Sequence, residues 1–323
     1  MFKSLGSGAV GIDVPFDEVL QLAAENGFEG VHLDMNEVAQ KGASEVRRML
    51  DEKGLRPSAW GFTVDVQHDE AAYRQGLDGL PRLSAVAEEL GCCRTSTWIY
   101  PFSNERAFRE NFDFYVARLK PAAQILDEHD IRLGLEFVGP KTSRVAGKYA
   151  FVHTLDGMLE LCDAAGPNVG LLLDSWHWYA SHGTVAQLRG LGDRNIVDVH
   201  VNDAPRGIPP DEQIDNVRCM PGETGVIDIA GFLQSLDAIG YTGPLMAEPF
   251  SDKVRALSPV EAARLTADSM RRIWEVAGLY PRELRAEHSC PESTGKLSGI
   301  NGSFPRLVWS GVRAIPLLRP YEA

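Results

Sequence analysis

The chain has 323 residues, 44% of them hydrophobic and 24% charged, with a formal net charge of -13 at pH 7. This composition fits one large soluble domain, since barrels reach about 250 residues as a single unit, and the acidic balance disfavours a broad face for nucleic acid. The five cysteines form no CxxC pair, the N-terminus lacks a signal pattern, and no apolar run approaches the ~20 residues of a membrane helix, which predicts a reduced, cytoplasmic protein with no membrane partner.

In chain order, β-like runs alternate with helical periods. A strand at residues 5–12 precedes a helix at 16–26, and one at 30–34 precedes a helix at 44–53. Strands at 56–61 and 92–98 lead to helices at 77–90 and 112–129. Strands at 132–137 and 169–174 lead to helices at 155–165 and 185–191, and those at 196–201 and 244–248 to helices at 229–239 and 259–277. Gly27, Gly54 and Gly91 sit where left-handed helix caps belong. Eight such units predict an α/β fold, a (β/α)8 TIM barrel over residues 1–279, with an open doubly wound sheet as the runner-up. No GxGxxG follows the first strand, which weakens a dinucleotide-binding version of the latter. The longest interruption, residues 202–226, is expected over the barrel mouth. After Leu279 the periods dissolve into an irregular C-terminal extension, 280–323, to which no chemistry is assigned.

Side chains at the C-terminal ends of barrel strands converge on one mouth. The last four strands end in "LGLEF" (Glu136), "LLLD" (Asp174), "VDVHV" (His200) and "LMAEPF" (Glu248). Any one of these acids could be a helix cap, and a lone histidine a core residue. Four in succession create a negative field that a divalent cation relieves, and three oxygen donors with one imidazole suit Mn, with Co, Mg or Zn as alternatives. Glu136 and Glu248, from different strands, are expected to flank a substrate as proton donor and acceptor, with His177 polarising a substrate oxygen. Trp60 and Trp98, near the ends of the third and fourth strands, read as aromatic walls for a polyol or as core. His32, Asp34, Asp203, Glu223, Lys141 and Lys148 are weaker candidates.

The segments "LGLEF", "LLLDSWHW", "VHVNDAPR", "PGETGVID" and "MAEPF", in this order, resemble the xylose isomerase-like TIM barrels of the sugar phosphate isomerase/epimerase family. That family includes inosose isomerases and dehydratases, ketose 3-epimerases and hydroxypyruvate isomerases. The resemblance runs from the start of the chain to about Leu279. It implies that Glu136, Asp174, His200 and Glu248 ligate one divalent metal ion and that His177 and Arg206 hold substrate oxygens. The implied activity is isomerisation or epimerisation of a ketose, inosose or related polyol through a metal-stabilised enediolate. A lyase, either an inosose or keto-sugar dehydratase or a subunit eliminating from oxidised glycosides, is the alternative. An endonuclease IV-like nuclease fits less well, because the third and fourth strands end near Trp60 and Trp98 without histidine. A non-catalytic sugar-binding barrel is disfavoured by the two glutamates. The expected partner is a small sugar or polyol, with a homo-oligomer left open.

Overall fold

The computed structural model describes residues 1–279; the extension predicted at 280–323 lies outside the described residues. Eight parallel strands close into a barrel: β1 (Phe2–Leu5), β2 (Gly30–Leu33), β3 (Arg56–Gly61), β4 (Arg94–Ile99), β5 (Arg132–Phe137), β6 (Val169–Asp174), β7 (Ile196–Val201) and β8 (Pro244–Ala247). Each strand pairs with its neighbours in chain order, and β8 closes on β1 through Phe2 opposite Pro244. This is the (β/α)8 TIM barrel expected from the alternation. β6 and β7 are buried at every position, as strands covered by helices on one face and by the barrel core on the other must be.

The first strand departs from expectation. It spans Phe2–Leu5, before the predicted 5–12, and Gly8–Val10 forms a 3-10 turn. The apolar, glycine-rich "GSGAVGI" reads as a strand, but Gly6 packs so tightly on Met246 that a Cβ there would overlap its sulfur at 1.9 Å. Two helices begin earlier than their periodicity suggested, at Glu70–Leu90 and Phe108–Asp127. In the first, the Asp69 carboxylate accepts from the Ala72 amide and fixes the start about two turns upstream of the expected one. Among the described residues, no helix is long and apolar enough to cross a membrane.

Inward and outward side chains alternate along each strand, so the barrel fills in layers. Trp98, Glu136, Asp174 and His200 share the upper layer, with Trp98 opposite Glu136 and Asp174 opposite His200 in the strand registers. Ser96, Gly134 and Asp198 lie two residues earlier on their strands, one layer below.

Candidate metal centre

Glu136, Asp174 and His200 end β5, β6 and β7, and Glu248 follows β8; each offers a ligand atom, and these atoms all lie within 4.8 Å of one another. His200 Nδ1 stands 3.4 Å from Glu248 Oε2 and 4.0 Å from Glu136 Oε1. Glu136 Oε1 and both His200 ring nitrogens are buried with no hydrogen-bond partner. Burial, and then the Glu248 and Asp174 carboxylates, push the Glu136 carboxyl well above its ordinary range. For His200, burial opposes the charged form, yet Glu248, Asp198 and Glu136 together push it up to about 10. Burial would raise Glu248 as well, but His200, Arg218 and His177 hold it below the usual carboxylate range. The cluster thus draws positive charge inward, and its orphaned inward-facing atoms form a hard-oxygen and imidazole donor set. These residues fit a divalent cation.

The Asp174 carboxylate is locked in place. Its Oδ1 accepts from the amides of Trp176 and His177, capping the short helix Ser175–Ala180, and Asn202 Nδ2 donates to both of its oxygens. One carboxylate is at once helix cap and cluster member, so the two readings of a strand-end acid do not compete here.

A cation absent from the sequence reading completes the floor. Arg218 Nη1 lies 2.9 Å from Asp174 Oδ2 and 3.1 Å from Glu248 Oε2, while Nη2 donates to Asp215 Oδ1 at 2.8 Å. Its guanidinium packs over the rings of Phe250 and Trp176. His177 sits beside it: the Gly139 amide donates to His177 Nδ1 at 3.2 Å, and Nε2 faces Arg218 Nη2, also at 3.2 Å. Burial, and then the Arg218 cation, lower the His177 pKa, which favours the neutral ring. Gly139 must be glycine, because a Cβ would stand 2.2 Å from the His177 carbonyl oxygen.

Above these groups opens a cavity of about 500 Å³, bounded by Glu136, His177, Arg218 and Glu248 below and by Trp98, Tyr100, Phe102 and Phe250 at the sides. Four described non-glycine residues have positive φ, and two of them, Asn216 and Phe250, line this cavity.

Two expected substrate contacts fall elsewhere. Arg206 is turned to the loop surface, its Nε donating 2.8 Å to the Thr224 carbonyl, and it does not line the cavity. Trp60 is 0% exposed within the core, whereas Trp98 is 40% exposed and forms cavity wall. Asp203 accepts from the amides of Ala204, Thr224, Gly225, Val226 and Ile227, and Glu223 accepts from that of Met220, so both fix the loop. Lys141 pairs with Asp211, Lys148 lies over Tyr149, and Asp34 caps the helix Met35–Lys41. His32 is half-buried near Asp198, His200 and Glu248. Sequence spacing missed Arg218 because the 202–226 loop doubles back. A bridge between Asp203 and Cys219 brings residue 218 level with the end of β7, a long-range closure that local pattern does not carry. The one local hint was a cation set among the apolar residues of "VRCM".

The chain belongs to the xylose isomerase-like TIM barrel family, whose model matches residues 20–273. It is 37% identical over 277 residues to a 3-dehydroshikimate dehydratase of Pseudomonas aeruginosa, covering 84% of this chain and 40% of that protein. The chain therefore spans about two fifths of the length of that relative. It is 28% identical over 262 residues to an inosose isomerase of Halalkalibacterium halodurans, covering 77% of this chain and 88% of the relative. The crystal structure of an IOLI protein with a bound zinc atom superposes with a TM-score of 0.73 at 19% identity, covering 87% of this chain and 100% of that one, a likeness of fold.

Proposed function

We propose that the protein is a divalent-metal-dependent isomerase or epimerase that moves a proton at a carbon beside a carbonyl in a ketose, inosose or related polyol. The observation that carries this reading is the convergence of Glu136, Asp174, His200 and Glu248 within 4.8 Å beneath an open cavity. These four residues would hold the ion, and a bound divalent cation acidifies a C–H bond next to a carbonyl that it polarises. Manganese suits the mixed oxygen and nitrogen donor set; zinc, the metal of the IOLI structure, is the first alternative, ahead of cobalt and magnesium.

The remaining work falls to the chain. Glu136 and Glu248 come from β5 and β8, on either side of Asp174 and His200, so a substrate between them meets a carboxylate on each flank. One takes a proton and the other returns it. With Gly139 donating to Nδ1, His177 keeps its proton on Nε2, and that N–H faces the Arg218 Nη2 donors at 3.2 Å. Two donors with no acceptor between them form a cradle for a substrate oxygen that gains negative charge as the proton leaves. Trp98, Tyr100 and Phe250 offer ring faces to the C–H surface of a polyol.

A second reading, dehydration, is favoured by the 37% identity to the 3-dehydroshikimate dehydratase, against 28% to the inosose isomerase. The two reactions share proton removal and differ in whether a neighbouring hydroxyl then leaves. The test is incubation of the manganese-loaded protein in heavy water with inososes, ketoses and 3-dehydroshikimate, followed by NMR and mass spectrometry. Metal-dependent deuterium uptake with an isomeric product supports the isomerase, and loss of one water supports the lyase. A protein that takes up manganese and exchanges no carbon-bound hydrogen in any of these compounds sinks both.

A further inference from the structure

Below the four-residue cluster lies a carboxylate that the proposed chemistry does not use. Asp198 is on β7, two residues before His200, so both side chains point into the barrel, and it is 2% exposed. The register between β6 and β7 slips by one residue immediately before it, where Leu171 pairs with Ile196 but Leu172 pairs with Asp198. Such irregularities re-aim the side chains that follow. Asp198 Oδ1 accepts from the Val199 amide at 2.9 Å, and Ser96 Oγ stands 3.5 Å from Oδ2. No lysine or arginine lies within ion-pair distance among the described residues. The one basic group that does is His200, whose Nε2 is 4.0 Å from Asp198 Oδ2 and makes no hydrogen bond of its own. The opposite ring nitrogen, Nδ1, is the one turned toward Glu136 and Glu248.

A buried carboxylate is costly to keep unless it faces a proton-bearing partner. The imidazole above it has a complementary need. To donate a lone pair from Nδ1, it must carry its proton on Nε2, and an acceptor beyond Nε2 fixes that tautomer, orients the ring and makes Nδ1 more basic. We propose that Asp198 is a positioning residue that accepts the Nε2 proton of His200 and thereby aims Nδ1 at the divalent cation of the four-residue cluster. This rests on the metal-centre reading above. A Cβ on Gly134 would stand 3.2 Å from Cβ of Ser96, the residue whose hydroxyl faces Asp198.

The test uses the full chain, with zinc binding measured by calorimetry and histidine nitrogens followed by long-range proton–nitrogen NMR in the zinc-loaded protein. The wild-type protein is expected to bind one zinc, with the His200 proton on Nε2 in a downfield, slowly exchanging hydrogen bond. Asp198→Asn, which keeps the shape, should weaken zinc binding about 10- to 100-fold and shift that proton signal upfield. Asp198→Ala should weaken binding further. A role confined to folding would instead lower the metal-free melting temperature and leave zinc affinity alone. Wild-type zinc affinity and an unmoved Nε2 proton in Asp198→Asn overturn the assignment to Asp198. Failure of the wild-type protein to bind zinc or manganese overturns the metal-centre reading, and this inference with it.

Discussion

Strands β5, β6 and β7 end in or next to Glu136, Asp174 and His200, and β8 is followed at once by Glu248; β1, β2, β3 and β4 end in Leu5, Leu33, Gly61 and Ile99, and the Asp34 that follows β2 is exposed and caps a helix outside the cluster. The same alternation builds both halves of the barrel, yet one half gathers charge at the mouth and the other ends its strands in uncharged residues. The charged arc is expensive: three carboxylates and an imidazole share one desolvated volume, and orphaned atoms remain at Glu136 and His200. The apolar arc closes the barrel with Trp60 fully buried and Trp98 at the cavity wall. Chemistry and stability are drawn here from different strands, so substitutions should separate along the same line.

The largest effect is expected on the charged arc. Glu248→Gln removes the proposed proton-transfer group and a proposed ligand atom at once, and turnover should fall by about 1,000-fold or more, measured as loss of deuterium exchange with the melting temperature kept within a few degrees. Arg218→Met, which leaves the four-residue cluster intact but empties one side of the oxygen cradle, should reduce turnover about 100-fold while metal binding persists; equal loss of both would place Arg218 in metal retention instead. On the apolar arc the two tryptophans should part company. Trp60→Ala should cost about 3–5 kcal/mol in urea unfolding, and Trp98→Ala should raise KM several-fold with unfolding unchanged. Arg206→Ala should alter neither quantity by more than about twofold, because an exposed arginine bound to one loop carbonyl contributes little. A large loss of activity in that variant would return Arg206 to the cavity and break the division.

Much of this division was legible before any coordinates. The strands carry their acids at their C-terminal ends in the sequence itself, and the parallel barrel converts position along a strand into position at the mouth, so Glu136, Asp174, His200 and Glu248 could be grouped from spacing alone. His177 followed from its place three residues beyond Asp174, one turn into the helix that Asp174 caps. What stayed hidden depends on contacts between residues far apart. Arg218 reaches the cluster only because residues 203 and 219 pair across the loop. Trp60 and Trp98 occupy equivalent places in their local patterns, and only the closed barrel decides which one is walled in. The first strand was displaced because an apolar run carries no mark of where the sheet stops and a tight turn begins.

Phe250 holds the last consequence. Its φ of 40° lies in a region that non-glycine residues avoid, at a cost of about 1–3 kcal/mol, and its ring lies 4.6 Å from the Arg218 guanidinium carbon. Conformational energy is thus stored in the segment that clamps the arginine. Evolution toward heat resistance alone would be drawn to relax that residue, and the relaxed barrel would trade catalytic alignment for endurance.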